Sequence, residues 1–271
     1  MWPCMWSICL AMPRGDDFLF APGWEMLPLF AAGSVLLRGA GCTVNDLWDR
    51  ELDKKVARTR GRPIAAGDVT PFNATAFLGA QLLAGLGILL QLPPAAQYMG
   101  CASLALVGTY PAMKRVTWWP QAFLGLTINW GALMGWAAAT GSVDWAAAVP
   151  LYLAGACWTM VYDTIYAHQD KRDDVAAGVK STALLFGENT RPVLGAFAAG
   201  NALLLAVAGG AAGCGPLYFL GAVAAGSHLA RQVVQTDLDD AAQCQAAFDS
   251  NVTYGGILMA GILADRAAAL L

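Results

Sequence analysis

Long apolar runs alternate with short polar segments along the whole chain. Eight of the runs approach or reach the length of about 20 residues that a helix needs to cross hydrocarbon. They occupy residues 23–47, 71–92, 96–112, 119–140, 145–167, 192–212, 216–234 and 251–270. A shorter apolar piece ends at Met12, and we expect it to be the tail of a first spanning helix that begins outside the sequence. The pattern therefore predicts an all-α polytopic membrane protein, with about eight full transmembrane helices and a truncated first helix, as a single domain over residues 1–271.

Composition supports a membrane protein and removes several functional classes. Hydrophobic residues make up 57% of the 271 residues and charged residues 13%, against about 25% charged residues in soluble domains. The net charge of −3 does not indicate nucleic-acid binding. The seven cysteines include no CxxC pair and there are only two histidines, so neither a disulfide framework nor a zinc site is indicated. We also recognise no cleavable signal or transit peptide.

The basic residues fall on one side of the predicted membrane layer. The loops after the first, third and fifth runs, together with the end of the seventh run, contain 13 of the 16 Lys and Arg residues. The opposite loops contain only Arg14, and Arg266 ends the last run. By the positive-inside rule, the basic loops face the cytoplasm or the mitochondrial matrix.

A first acidic cluster lies at the end of the first run. Asp46, Asp49 and Asp53 are spaced by three and four residues, so on a helix they form one stripe, with Asn45 beside it. Like charges at this spacing repel each other, and a bound Mg²⁺ reverses that effect because it accepts carboxylate oxygens as ligands. The alternative is a solvated helix end with ordinary surface acids.

A second acidic cluster ends the fifth run. Asp163 and Asp170 are seven residues apart, which is two turns along one helix face, and Asp174 follows four residues later. Carboxylates near hydrocarbon are costly unless they are paired or functional. We therefore predict that the two clusters face each other across a cavity and hold divalent cations that bind a diphosphate. We interpret His168 as a polar residue of the helix end and not as a ligand.

Basic side chains accompany both clusters on the same membrane face. As a set they are candidates for neutralising a departing pyrophosphate, although the positive-inside bias alone explains many of them. The set comprises Arg58, Arg60, Arg62, Lys114, Arg115, Lys171, Arg172 and Lys180.

Arg38 lies inside the first apolar run, seven residues before Asn45 and about 10.5 Å deeper on the same helix face. An arginine in that position needs an anionic partner or a wet cavity. We interpret it as the residue that grips a small carboxylate substrate, because a guanidinium binds carboxylates in a bidentate manner. An ion pair with a neighbouring helix is the structural alternative.

Five segments carry recognisable motifs, in order and over nearly the whole chain. They are Arg38–Cys42 leading into the NDxxDxxxD pattern of Asn45–Asp53, Arg58–Gly67, Tyr110–Arg115 with Pro120 and Gln121, the YDTxYAxxDxxDD pattern from Tyr162, and Lys180–Ala183. Together they resemble the UbiA-type membrane prenyltransferases, and the combination is far more specific than the NDxxDxxxD pattern alone. The resemblance implies a helical fold of nine spans around a central cavity that opens sideways to lipid.

The resemblance also implies Mg²⁺ as cofactor and a polyprenyl diphosphate as donor. Within it, Asn45, Asp49, Asp53, Asp170 and Asp174 correspond to the residues that hold metal and diphosphate. The implied catalytic residues are Asp49, Asp53, Asp163, Asp170 and Asp174, with Asp163 as a proton acceptor or phenol contact. The implied substrate-binding residues are Arg38, Asn45, Arg58, Tyr110, Lys114, Arg115, Tyr166 and Lys180. Of these, Arg38 corresponds to the grip on an aromatic acid, in agreement with its depth.

The implied reaction is transfer of a polyprenyl group to the ring carbon ortho to the hydroxyl of 4-hydroxybenzoate, with release of pyrophosphate, in ubiquinone biosynthesis. The expected surroundings are the lipid bilayer of the mitochondrial inner membrane, with active-site loops on the matrix side and ubiquinone-biosynthesis proteins as partners. A bacterial plasma membrane is the alternative location. Two other functions stay open: a sister prenyltransferase with another aromatic or tetrapyrrole acceptor, and a divalent-cation channel or transporter whose acids form a pore ring.

Overall fold

A computed structural model describes residues 1–21, 23–54, 59–171 and 180–268, without the side chains of Asp16, Leu52, Pro111, Lys114 and Arg115. In this part of the chain every regular element is a helix, which confirms the all-α prediction. Short 3₁₀ turns occupy His168–Asp170 and Gly187–Asn189. The α-helices are α1 (Trp2–Ala11), α2 (Asp16–Leu19), α3 (Gly23–Asp53), α4 (Pro63–Ala66), α5 (Pro71–Leu89), α6 (Pro94–Val116), α7 (Pro120–Asn129), α8 (Gly131–Thr140), α9 (Trp145–Ala167), α10 (Thr182–Phe186), α11 (Thr190–Ala211), α12 (Pro216–Gln235), α13 (Ala241–Asp249) and α14 (Asn251–Ala268).

The long helices coincide with the predicted runs, but several ends differ. The first run was expected to end at residue 47, whereas α3 continues to Asp53 because the acidic stripe is itself helical. The third run extends at both ends, to Pro94 and Val116. The short helices α10 and α13 lie in segments for which the apolar pattern predicted no helix.

The fourth predicted run is broken into α7 and α8 at Trp130. The Asn129 side chain donates a hydrogen bond of 2.8 Å to the carbonyl of Gly125, four residues earlier in the helix. A side-chain amide that competes for a helical carbonyl weakens the backbone ladder, and Gly131 is a poor helix former. These two local effects explain an interruption that hydropathy does not indicate.

Five helical stretches of the described chain are long and apolar enough to cross a membrane. They are Asp17–Glu51, Pro71–Leu89, Pro120–Thr140, Trp145–Asp170 and Thr182–Ala211. The helices α6, α12 and α14 have 23, 20 and 18 residues, which is also a spanning length, but they are more polar. The structure is therefore compatible with a polytopic membrane protein.

Contacts divide the chain into two compact units, and the larger one consists of Met1–Met26 and Pro93–Leu271. Within it, α9 packs against α7, α8 and α11, while α12 packs against α14. A close crossing joins Gly221 and Gly261, where an added Cβ on Gly221 would lie 2.6 Å from the Gly261 Cα. Small residues at such crossings let membrane helices approach closely, as the glycine-rich sequence suggests.

The smaller unit, Leu27–Leu92, is built from α3 and α5 with α4 between them. Gly33 of α3 faces Ile88 of α5, and Gly39, further along α3, faces Gln81, which comes earlier in α5. The Thr43 hydroxyl contacts the Gln81 side-chain oxygen at 3.2 Å. The two helices are therefore antiparallel, and α3 presents its acidic end beside the turn that leads to α4.

Candidate active site

The first acidic cluster occupies the last turns of α3. Asn45 is exposed, Asp46 and Asp49 are half-buried, and Asp53 is 6% exposed. The predicted stripe of Asp46, Asp49 and Asp53 is thus present on one continuous helix. The stripe grows more buried toward the helix end, where the chain folds back over it.

Arg62 connects two members of this cluster. The Nη1 atom of Arg62 lies 3.1 Å from Asp46 Oδ1 and 2.9 Å from Asp53 Oδ2. The Thr59 hydroxyl donates to the Asp53 carbonyl at 3.2 Å, and the Arg62 amide donates to the Thr59 carbonyl at 2.9 Å. This tight turn brings the guanidinium back onto the helix that it follows in sequence.

The carboxylates of Asp46 and Asp53 thus hold a positive charge between them, that of the Arg62 guanidinium. Carboxylate and amide oxygens are hard donors that suit Mg²⁺, which takes few protein ligands and keeps water or phosphate oxygens for the rest. In the described ranges no group of three or more His, Cys, Asp or Glu residues is close enough to hold a metal ion. The oxygen donors of Asn45, Asp46, Asp49 and Asp53 fit Mg²⁺ in chemistry, but in the described residues they are not gathered around one point, so phosphate or water oxygens would have to supply most of its coordination.

Arg38 lies two turns before Asn45 on α3, as predicted. Its side chain is exposed, and among the residues that the structure describes it forms no ion pair or hydrogen bond. The alternative of a structural ion pair therefore finds no partner there. With no partner among the described residues, the guanidinium is available to bind an anion.

The second acidic cluster begins near the end of α9. Asp163 is half-buried and interacts electrostatically with Tyr110 of α6 and with Tyr162. Asp170 ends the following 3₁₀ turn with an exposed side chain. The structure thus brings two of the predicted residues together, Tyr110 and Asp163.

An aromatic wall continues from this cluster to α13. The Tyr166 and Phe248 rings lie 4.4 Å apart between centroids, Tyr162 and Phe248 5.6 Å apart, and Trp158 and Tyr162 5.1 Å apart. The Trp158 indole donates to Asn251 Oδ1 at 2.7 Å, which fixes the wall against α14. Phe248 was not singled out from the sequence, because it lies 82 residues from Tyr166 in a segment without a motif.

The segment that starts with Lys180 is anchored by buried polar groups. The Thr182 amide donates to Gln121 Oε1 at 3.0 Å, and the hydroxyls of Thr164 and Thr182 lie 2.7 Å apart. Lys180 Nζ donates to the Val116 carbonyl at 3.4 Å. Lys180, one of the predicted diphosphate-binding cations, therefore lies at the end of α6, at the carbonyl of the residue that follows Arg115.

Five predicted residues fall outside the described part of the chain. They are Arg58, Arg172 and Asp174, together with the side chains of Lys114 and Arg115 on α6.

The whole-chain pattern agrees with a known family. The model of the UbiA prenyltransferase family matches residues 1–258. The chain belongs to the UbiA prenyltransferase family. This confirms the family that the five motifs predicted.

A relative in the family and two solved structures extend this finding. The chain is 53% identical over 265 residues to the Arabidopsis thaliana protein named "4-hydroxybenzoate polyprenyltransferase, mitochondrial". The match covers 98% of this chain and 64% of the length of that relative. The apo structure of a UbiA homologue from Aeropyrum pernix K1 has a TM-score of 0.76 at 24% identity and covers 97% of each chain. A UbiA homologue from Archaeoglobus fulgidus, solved with GPP and Mg²⁺, has a TM-score of 0.61 at 14% identity over 99% of this chain and 95% of the other. The two structures establish the UbiA fold.

Proposed function

We propose that this protein transfers a polyprenyl group from a polyprenyl diphosphate to the ring carbon ortho to the hydroxyl of 4-hydroxybenzoate. The observation that carries the proposal is the 53% identity over 98% of the chain to a protein of that name. Two features of the structure support it. In the smaller unit, the acidic end of α3 binds the Arg62 guanidinium. In the larger unit, Tyr110 and Asp163 lie beside the aromatic wall of Tyr166 and Phe248.

The donor diphosphate is held by the two acidic clusters. Asn45, Asp49 and Asp53 of the first cluster, with Asp170 and Asp174 of the second, are the proposed Mg²⁺ ligands, and Mg²⁺ when bound offsets the negative charge of the leaving group. Support comes from the Archaeoglobus homologue, which was solved with GPP and Mg²⁺.

Basic side chains complete the grip on the diphosphate. The proposed donors to its oxygens are Arg58, Lys114, Arg115 and Lys180. Charge-assisted hydrogen bonds to phosphate oxygens are strong, and they strengthen as the bridging oxygen takes up negative charge during cleavage. The allylic C–O bond breaks, and pyrophosphate leaves with the bonding electron pair.

The allylic cation that remains must be kept from water until it meets the ring. The rings of Tyr162 and Tyr166 each lie within 6 Å of the Phe248 ring, and the Trp158 ring lies within 6 Å of Tyr162. Such a wall excludes water and stabilises positive charge through the ring faces. Tyr166 and Phe248 are half-buried, so these two members of the wall have surface to offer a substrate.

The acceptor is oriented by its carboxylate and activated at its ring. The guanidinium of Arg38, which has no partner in the described part of the chain, is proposed to bind the carboxylate of 4-hydroxybenzoate in a bidentate manner. A new C–C bond forms at the ortho carbon, and the proton of that carbon passes to Asp163. Tyr110, which interacts with Asp163, is proposed to contact the phenol side of the acceptor.

The same proposal includes a location and partners. We place the protein in the mitochondrial inner membrane with its basic loops and active site on the matrix side. The supports are the relative named mitochondrial, the membrane-length helices and the one-sided basic loops. Ubiquinone-biosynthesis proteins are the expected partners.

A matched pair of carboxylate variants tests the site. Asp49→Asn is expected to lower transfer about 100-fold or more, because one charged ligand of the diphosphate site is lost. Asp68→Asn, an exposed aspartate in the loop after α4, is expected to keep wild-type activity. Equal rates for Asp49→Asn and wild type would contradict the metal–diphosphate assignment.

An acceptor panel tests the substrate. With purified protein and one polyprenyl diphosphate, 4-hydroxybenzoate is expected to react far faster than homogentisate. Arg38→Leu is expected to raise the KM for 4-hydroxybenzoate without changing the KM for the donor. Faster reaction with homogentisate would show that the proposed acceptor is wrong, while the proposal of prenyl transfer would stand.

A further inference from the structure

Asn251, the first residue of α14, is a buried amide that joins two helices of the aromatic wall. Its Oδ1 accepts a hydrogen bond from the Trp158 indole of α9 at 2.7 Å. Its Nδ2 donates to the carbonyls of Ala247 at 2.9 Å and Phe248 at 3.0 Å, which belong to α13. One side chain therefore connects α9 with the end of α13.

The partners of this amide fix its orientation. An indole N–H only donates, so the oxygen faces Trp158, and backbone carbonyls only accept, so the nitrogen faces α13. The Gln232 side chain of α12 donates to the same oxygen at 3.4 Å. The site thus needs an acceptor and a donor on one short side chain, which asparagine supplies, whereas aspartate lacks the donor and leucine lacks both.

The carbonyls that Asn251 binds lie in the last turn of α13, where a helix leaves its carbonyls without a full set of backbone partners. The Ala247 carbonyl also accepts from the Ser250 hydroxyl at 2.8 Å and from Gln232 Nε2 at 3.2 Å. Phe248 lies within this turn. The direction of its ring therefore depends on how these side chains hold the end of the helix.

Phe248 is the ring on which the two tyrosines of the wall meet. Its centroid lies 4.4 Å from that of Tyr166 and 5.6 Å from that of Tyr162. The tyrosines come from α9 and the phenylalanine from α13, so the gap between them is set by whatever holds these two helices together. Asn251 is hydrogen-bonded to both helices.

We propose that Asn251 is a positioning residue for prenyl transfer. It keeps Phe248 against Tyr166, so that the allylic cation meets the acceptor ring before it meets water. The inference rests on the proposed function, and Asn251 acts through Phe248 without touching either substrate. The wall excludes water only while its rings stay in contact, so the amide controls which nucleophile captures the cation.

The competing reaction supplies the readout. When water captures the cation, the water oxygen bonds to the allylic carbon and gives up a proton, which yields the prenyl alcohol. Pyrophosphate is released in both reactions. The ratio of prenyl alcohol to prenylated acceptor therefore measures water exclusion in each turnover, and it does not depend on how much of the protein is folded.

Two variants of Asn251 test the proposal in the full chain, with labelled polyprenyl diphosphate and 4-hydroxybenzoate. Asn251→Leu is expected to raise the alcohol ratio about tenfold, which corresponds to about 1.4 kcal/mol between the two competing barriers. The KM for each substrate is expected to stay unchanged, because the groups proposed to bind them are left in place. Asn251→Asp keeps the acceptor for Trp158 but cannot donate to α13, so it is also expected to raise the ratio. A carboxylate at the first position of a helix is stabilised by the helix dipole, so this second variant is expected to fold.

Gly221→Ala is the matched control. It perturbs the crossing of α12 and α14 at Gly261, ten residues and about 15 Å along the helix from Asn251. Its alcohol ratio is expected to equal that of wild type although the protein is less stable. Equal ratios in wild type and the Asn251 variants would overturn the proposal, and so would a rise of the same size in Gly221→Ala, which would indicate general loosening.

Failure of this inference and failure of the proposed function give different results. Wild-type protein that transfers no prenyl group to 4-hydroxybenzoate would refute the proposed function. The hold of Asn251 on Phe248 is tested without activity, by thermal unfolding of Asn251→Leu, Phe248→Leu and the double variant. The double variant is expected to melt above the temperature that the sum of the two single shifts gives, because the two residues act as one unit. Additive shifts would overturn the positioning of Phe248 by Asn251.

Discussion

Arg62 holds the first acidic cluster together, and its removal has a calculable cost. Arg62→Met keeps the length of the stem but leaves Asp46 and Asp53 without a cation. The Asp53 side chain is 9% exposed, so its loss of a partner costs about 1–3 kcal/mol. The Asp46 side chain is 24% exposed and adds less than about 1 kcal/mol because solvent screens it. A loss of about 2 kcal/mol in the free energy of unfolding, the middle of this range, corresponds to a fall in melting temperature of about 4–8 °C.

The assay is thermal unfolding of the detergent-purified protein, with Arg60→Met as the matched control. Arg60 lies two residues away, is exposed, and has no ion pair among the described residues. Its variant is expected to melt within about 1 °C of wild type, as exposed substitutions usually do. Added Mg²⁺ and pyrophosphate are expected to raise the melting temperature of Arg62→Met more than that of wild type, because another cation can then occupy the carboxylates. Equal melting of Arg62→Met and Arg60→Met would refute the reasoning.

Three further outcomes follow from the geometry. Asp163→Asn is expected to lower kcat for prenyl transfer by about 100-fold or more, because the ring proton loses its acceptor, and a steady-state assay at saturating donor checks this. Gly221→Ala is expected to destabilise the protein by about 1–3 kcal/mol, because its new Cβ meets the backbone of Gly261, whereas Gly226→Ala, 3.6 Å from the nearest atom, is nearly neutral in thermal unfolding. Asp240 caps α13, and its pKa is lowered mainly by a hydrogen bond from the Gln243 side chain, followed by those from the Gln243 and Ala242 amides. Its folded pKa therefore lies below its unfolded pKa, so the cap stabilises fully above about pH 4 and its contribution disappears as the pH falls through the lowered pKa. The difference in melting temperature between wild type and Asp240→Ala is thus expected to shrink on acidification from pH 7.

Much of the fold could be predicted because membrane helices are specified locally. The apolar runs located the long helices, and Trp145–Ala167 was predicted with the observed ends. Its start also carries a local signal, since Asp144 accepts from the Ala146 amide at 3.0 Å as an N-cap. The acidic stripe of α3 followed from spacing alone, and the five motifs in order identified the family.

The rest depends on contacts between residues distant in sequence. Arg62 was one of many basic loop residues until the turn through Thr59 brought it onto Asp53. Gln121 and Thr182 are 61 residues apart, and no periodic pattern links them. The assignment of metal ligands and substrate contacts, the meeting of the two acidic clusters and the single-domain organisation remain predictions.

The most direct test of the central claim is a transfer assay on this 271-residue chain. Membranes containing the protein are incubated with radiolabelled 4-hydroxybenzoate and a polyprenyl diphosphate, with either Mg²⁺ or EDTA, and the lipid extract is counted. The account predicts label in the lipid extract with Mg²⁺ and none with EDTA. Transfer that continues unchanged in EDTA, or label that never enters the lipid extract although the protein is folded and binds the diphosphate, would contradict it.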